Sequence, residues 1–139
     1  MFAGILVLQL IILIFTGCTN NKIDSEYREF KESYMSATGF VDFTGKNTSS
    51  LEALKKMDVN IVKEEMKKMR LIMNEMQKQA NSKHEKDLCK TTEQLYQDVE
   101  IMLDDYGNLD KLSLDDKLNL DAHFVLAKVS RDDIKKGDL

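Results

Sequence analysis

The sequence contains no proline and no tryptophan, and it has only six glycines and two cysteines in 139 residues. So little cysteine excludes a domain held by a set of disulfides, and so little glycine and proline excludes a collagen-like chain. The 20 basic and 24 acidic residues are close to balance, which excludes the strongly basic character of a nucleic-acid-binding domain. Because no proline interrupts the chain, long helices are permitted.

Apolar residues are unevenly distributed along the chain. Residues 1–17 carry no charge, and 13 of these 17 are apolar, whereas the other 122 residues are about 37% apolar and hold all 44 charges. The apolar run over residues 5–15 is shorter than the roughly 20 residues that a membrane-spanning helix needs. Its length is typical of the apolar part of a secretory signal peptide. The chain is therefore predicted to join an apolar leader to one small, charged domain.

The leader ends in the sequence Phe15-Thr16-Gly17-Cys18. Small residues before a cleavage site let the chain enter a peptidase cleft in an extended form, and the cysteine offers a nucleophilic sulfur for attaching a lipid. This segment resembles the lipobox of bacterial lipoproteins, in which Leu, a small residue and then Gly or Ala precede Cys. Phe15 stands in place of the Leu, and the usual Lys or Arg near the start of the signal peptide is missing.

The resemblance to bacterial lipoproteins implies a division of the chain and a location. A signal peptide over residues 1–17 is cleaved off, residues 18–24 form the lipidated Cys18 and a short tether, and residues 25–139 form the domain. In this interpretation Phe15, Thr16 and Gly17 are recognised by the signal peptidase. Acyl chains on Cys18 then hold the domain on the extracytoplasmic face of the cell membrane.

The domain is predicted to be all-α, an antiparallel bundle of three to four helices. Apolar residues recur at spacings of three and four, which is typical of packed helices. Ser49 with Glu52 and Ser82 with Glu85 match the capping box that begins a helix, and Ser25 is a candidate N-cap for the first one. The predicted helices cover residues 25–37, 50–80, 82–106 and 113–130.

The link between the second and third predicted helices is very short. The two segments can form a tight antiparallel hairpin, or they can continue as one helix of about 55 residues. We favour the hairpin, because a single long helix would expose the apolar seams of both segments.

The last predicted helix contains leucines in a pattern that also suits a strand. Ser113 as N-cap, with Asp115 and Asp116 in the first turn, favours the helix. The residues then predicted to face the core are Leu114, Leu118, Ala122, Val125 and Val129. The charged tail after Ser130 is expected to fray.

Residues 38–50 form the one long stretch without helical periodicity, and they include Phe40 and Phe43. These two aromatic residues can cover the end of the core, form a short extended segment or lie exposed as a contact for a partner. We favour core capping, and we retain Phe40 and Phe43 as the candidate partner contact.

Residues that could ligate a metal or carry catalysis do not form a recognisable site. His84 and Cys89 are five residues apart and diverge on a helix, and no motif for a zinc site, nucleophile or phosphate loop is present. With Cys18 lipidated, Cys89 has no disulfide partner, so it is predicted to be an inert, half-buried thiol. Pairing with another chain is the alternative. No metal, cofactor or enzymatic activity is predicted.

The expected function follows from the leader and the helical domain together. Small, charged helical lipoproteins of this layout resemble the surface-exclusion lipoproteins of conjugative plasmids and the superinfection-exclusion lipoproteins of phages. The resemblance implies a non-enzymatic protein that binds or occludes an envelope protein or an incoming transfer protein. The alternative is an accessory lipoprotein that binds a ligand or acts as a chaperone. An exposed apolar patch favours the first function, and a closed polar pocket favours the second.

Overall fold

The computed structural model of the protein describes residues 22–43 and 49–139, which are helical and contain no strand. The predicted all-α bundle is confirmed. A 3₁₀ turn, Gly39–Phe43, follows the first helix, and another, Leu109–Lys111, precedes the last. The helices are α1 (residues 22–37), α2 (Ser50–Leu54), α3 (Val59–Gln79), α4 (Lys83–Tyr106) and α5 (Leu114–Lys136).

Helix α1 includes more residues at its start than the sequence predicted. The chain is already helical at residue 22, so Ser25 lies inside the helix and the prediction that it is the N-cap was wrong. The additional turn buries Ile23 in a small cluster with Tyr27, Met76 and Cys89.

The predicted helix over residues 50–80 is divided into α2 and α3. Ser49 caps α2 as expected, since its hydroxyl accepts a hydrogen bond from the Glu52 amide at 3.2 Å. Asp58 then has an extended backbone, and its carboxylate accepts from the amides of Asn60 and Ile61 at 3.2 and 3.3 Å. The prediction of one helix was wrong because Asp58 begins a new one, and the break buries Met57.

Helices α3 and α4 form the favoured antiparallel hairpin. The backbone of Ala80 is extended, and Ser82 begins α4 with the predicted capping box to Glu85. Gln77 near the end of α3 donates to Glu93 in the first half of α4 at 2.9 Å. Earlier in α3, Arg70 donates to the hydroxyl of Tyr96, later in α4, at 2.8 Å. The antiparallel arrangement lets the two apolar seams face each other.

Helix α5 does not fray where the sequence predicted. It continues to Lys136 and ends at Gly137, whose φ of 80° lies in the left-handed region that favours glycine. The amide of Asp138 donates to the Asp133 carbonyl at 2.8 Å, which closes the helix end. The Lys31 ammonium of α1 donates to the Leu139 carbonyl oxygen at 2.9 Å and fixes the tail against α1.

Each of the five helices contributes at least one large side chain to the main core. Its fully buried members include Phe30 and Tyr34 of α1, Leu54 of α2, Met69 of α3 and Met102 of α4. Leu120, Phe124 and Ala127 complete it from α5. These three residues form the core-facing side of α5.

Candidate functional site

Helix α5 faces the core with a different side from the one the sequence predicted. The buried residues are Leu120, Phe124, Ala127 and Arg131. The residues predicted to be buried are exposed instead. Leu114, Leu118, Val125 and Val129 are 73%, 59%, 57% and 52% exposed, and Ala122 is also exposed.

The two sides of α5 compete because both follow helical spacing. The predicted set and the buried set each step by four and three, so periodicity alone does not choose between them. Phe124 is the largest apolar side chain of the helix, and its ring lies 6.5 Å from that of Phe40 at an interplanar angle of 53°. Arginine is rarely buried without partners, so the sequence alone gives no reason to place Arg131 toward the core.

Arg131 is only 5% exposed, and its guanidinium is the main polar contact between α5 and the end of α1. Its Nη1 donates to the Met35 carbonyl at 2.7 Å and to the Thr38 hydroxyl at 2.8 Å. Its Nε donates to Asp42 Oδ1 at 3.2 Å, and its Nη2 donates to Asp42 Oδ2. The Thr38 hydroxyl in turn donates to the Tyr34 carbonyl at 2.7 Å. The guanidinium thus satisfies one backbone carbonyl in the last turn of α1, that of Met35.

Asp42 completes this polar network from the 3₁₀ turn. Both of its oxygens accept from Arg131, and the ammonium of Lys135 lies 3.3 Å from Oδ2. The hydrogen bonds from Arg131 hold the pKa of the Asp42 carboxyl below its usual value, although part of the side chain is in solvent. The pair fixes the rotation of α5 about its own axis.

A buried carboxylate, that of Asp98, joins α4 to α5. Asp98 Oδ1 and His123 Nδ1 lie 2.8 Å apart, and in the tautomer with a proton on Nδ1 the ring donates to the carboxylate. Both side chains are largely buried. Burial raises the pKa of Asp98, while His123 opposes that rise. The pair lines a cleft of about 330 Å³ that also includes Thr91, Ser130 and Leu126.

The outer face of α5 is the largest set of exposed apolar side chains on any one described helix. We define this outer face by Leu114, Leu118, Ala122, Val125, Leu126 and Val129. From Leu114 to Val129 it covers 15 residue steps, which is about 22 Å along the helix axis. By contrast, α3 exposes only Ile61 and Leu71 among its large apolar residues. An apolar row of this length is typical of an interaction surface.

The residues singled out from the sequence lie in different parts of the chain. Phe40 is 7% exposed and packs in the main core, where the favoured core-capping interpretation places it. The side chain of Phe43 lies outside the described part of the structure, although its backbone closes the 3₁₀ turn. Phe15, Thr16, Gly17 and Cys18 also lie outside the described residues.

The residues considered for metal binding are not brought together. His84 is exposed at the start of α4, whereas Cys89 is buried. Burial raises the pKa of the Cys89 thiol, and the nearby Glu93 and Glu85 raise it further. Across residues 22–43 and 49–139, no three or more His, Cys, Asp or Glu side chains are grouped so that they could hold a metal ion.

Comparison with known proteins identified no relative of this chain. No protein-family model, curated protein sequence or solved structure matches the chain. None of the helices in the described ranges is both long enough and apolar enough to cross a membrane.

The Arg131–Asp42 pair predicts a pH-dependent stability. We expect Asp42→Asn to lower the free energy of unfolding by about 1–2 kcal/mol at neutral pH, allowing for the solvent exposure of the carboxylate. Because the folded pKa of Asp42 is lowered, its contribution is fully present above the unfolded pKa of about 3.9 and is lost as the pH falls through the folded value. Urea unfolding of both proteins between pH 7 and pH 3 measures the difference.

Asp110→Asn is the matched control, because Asp110 is exposed and has no ion-pair partner among the described residues. It should leave stability within about 0.5 kcal/mol of the wild type. A difference for Asp42→Asn that stays constant down to pH 3 would contradict the role given to its charge.

Proposed function

We propose that this protein is an extracytoplasmic, lipid-anchored and non-enzymatic lipoprotein that acts by binding protein through the outer face of α5. The observation that carries the proposal is the row of exposed apolar side chains on that face. A contiguous apolar surface that is exposed to solvent marks a site at which a protein binds a partner. The physical gain on covering it is about 25 cal/mol for each Å² of apolar area removed from water.

The form of the outer face favours a helical or grooved protein partner. Four of its side chains lie at i, i+4, i+7 and i+11, namely Leu118, Ala122, Val125 and Val129. This is the pattern by which a helix docks in a groove or against another helix. The helix that displays them is firmly held from behind by Arg131 and Phe124. A rigid apolar row loses little conformational freedom on binding, and this favours affinity.

The lipobox resemblance supports a location at the membrane. With the lipid on Cys18, only four residue steps separate the anchor from helical residue 22, a reach of at most about 14 Å. The domain would therefore lie close to the extracytoplasmic surface of the cell membrane. Its partners would be proteins at that same surface. Binding there would occlude an envelope protein or an incoming transfer protein, as the resemblance to exclusion lipoproteins implies.

A second candidate function is ligand binding by an accessory envelope lipoprotein. The cleft between α4 and α5 favours it, because Asp98 and His123 converge there beside Thr91 and Ser130. At about 330 Å³ the cleft is at the lower end of the range for small-molecule sites. The outer face is the larger feature, and for that reason protein binding is the function we put first.

The anchoring part of the proposal predicts the effect of Cys18→Ser. We expect this variant to lose incorporation of radiolabelled fatty acid and to leave the membrane fraction, because serine offers no thiol for the lipid. Cys89→Ser is the matched control and should be labelled like the wild type, since Cys89 is buried inside the domain. Persistent labelling of Cys18→Ser would show that the lipobox interpretation is wrong.

The binding part of the proposal predicts cross-links from the outer face. A photoreactive residue placed at Val125 in the full chain on intact cells should form covalent adducts with protein, because 57% of this side chain is exposed on the outer face. The control places the same group at Leu71, which is 68% exposed on α3. Adducts from Val125 should be several times more abundant. Equal or absent adducts at the two positions would contradict protein binding through α5.

A further inference from the structure

The outer face of α5 contains a short heptad-like seam. Leu118, Ala122, Val125 and Val129 are spaced by four, three and four residues, the alternation found where two helices pair along their length. All four are exposed. Ala122 and Val125 lie at the middle of the seam, and the small Ala122 allows a second helix to approach closely there.

Charged residues along one flank of this seam have a definite order. Lys117, Asp121, Lys128 and Asp132 alternate in sign along the helix, and all are exposed. Lys117 and Asp121, like Lys128 and Asp132, are four residues apart, which is the spacing of ion pairs within a helix. Asp121 and Lys128 are seven residues apart, a rise of about 10.5 Å. The Lys128 ammonium lies 5.4 Å from the centre of the Phe124 ring. Among the ion pairs of the described chain, none involves these four side chains.

This order of charges is self-complementary under a two-fold rotation. A half-turn about a point between Phe124 and Val125 exchanges position 117 with 132 and position 121 with 128. Each lysine is thereby placed opposite an aspartate of the second helix. The same rotation leaves Leu118 two positions, or about 3 Å along the axis, from the second Val129, and leaves Ala122 equally far from the second Val125. This offset is less than one helical turn, so the apolar side chains still lie side by side when the charges pair.

We propose that the outer face of α5 binds the same face of a second copy of this chain, with the two α5 helices antiparallel. The contact is isologous, so one pairing closes it and no filament grows. A parallel pairing would instead place Asp121 against Asp121 and Lys128 against Lys128, and like charges in contact are unfavourable. The inference rests on the proposed function, since it names the protein that this face binds.

Membrane anchoring would favour such pairing. Chains held at one surface meet at a far higher effective concentration than the same chains in solution. A seam of four apolar side chains per copy then suffices for a pair that is weak in dilute solution. The paired domains would present twice the bulk to any incoming protein.

The experiment uses two differently tagged copies of the full, lipid-anchored chain expressed in the same cells. After extraction in a mild detergent, one tag is captured and recovery of the other is measured. The wild type should be recovered with its second copy, and Val125→Asp should reduce that recovery at least tenfold, because it places a charge in the seam. Leu71→Asp on α3 is the matched control and should leave recovery unchanged.

A charge exchange distinguishes self-pairing from any other occupant of the face. Lys128→Glu alone should reduce recovery several-fold, since it meets Asp121 of the second copy. The double variant Asp121→Lys with Lys128→Glu should restore it, because the pairs re-form with reversed sign. Wild-type copies that are not recovered together, or a double variant that fails to restore recovery, would overturn the inference.

Co-recovery of tagged copies and cross-linking at Val125 together distinguish a failure of self-pairing from a failure of the proposed function. If the photoreactive group at Val125 cross-links a different protein while tagged copies are not recovered together, protein binding by α5 stands and self-pairing is wrong. If Val125 forms no adduct beyond the Leu71 control and copies are not recovered together, both proposals are wrong.

Discussion

The orientation of α5 depends on one buried guanidinium. Arg131 donates to the Met35 carbonyl, the Thr38 hydroxyl and the Asp42 carboxylate, and its charge is almost fully removed from water. A buried charge that loses its partners costs about 3–5 kcal/mol. Turning α5 so that its other apolar row faced inward would break all of these bonds and expose Phe124. The polar network therefore determines which face of α5 meets the core.

The consequence of that choice is an apolar row in solvent. A helix whose two opposite faces are both apolar can bury only one of them in a single bundle. In this chain the inner face carries the aromatic ring and the guanidinium, and the outer face carries leucines and valines that no other described helix covers. The proposed binding function, and the proposed pairing of two copies, both follow from that surplus of apolar surface.

Local signals in the sequence predicted more of the structure than periodicity did. Ser49, Ser82 and Ser113 were identified as helix starts because a cap depends on residues within one turn. The break at Asp58 was missed, since an aspartate inside a periodic run also suits an exposed helix position. The end of α5 was placed too early, although Gly137 is the residue type that ends helices. The signal peptide and the lipidation of Cys18 stay predictions.

The face of α5 could not be predicted from its own sequence, because the deciding contacts come from residues about 90 positions away. Arg131 reads as a surface residue until Met35, Thr38 and Asp42 are brought beside it by the fold. Phe40 was retained as a partner contact for a related reason. Nothing near it in sequence indicates that Phe124 lies against it. Helical spacing carries no information about polar partners or aromatic contacts that are distant in sequence, and these contacts determine which face of α5 is buried.

The most direct test of this account compares two aspartate substitutions two residues apart on α5. Ala127 is fully buried and Val125 is 57% exposed. At protein concentrations where stability no longer depends on concentration, urea unfolding should show that Ala127→Asp costs several kcal/mol, about the penalty for an unpaired buried charge. Val125→Asp should cost less than about 0.5 kcal/mol. The reverse order would show that the apolar row of α5 faces the core and that the account of its outer face is wrong.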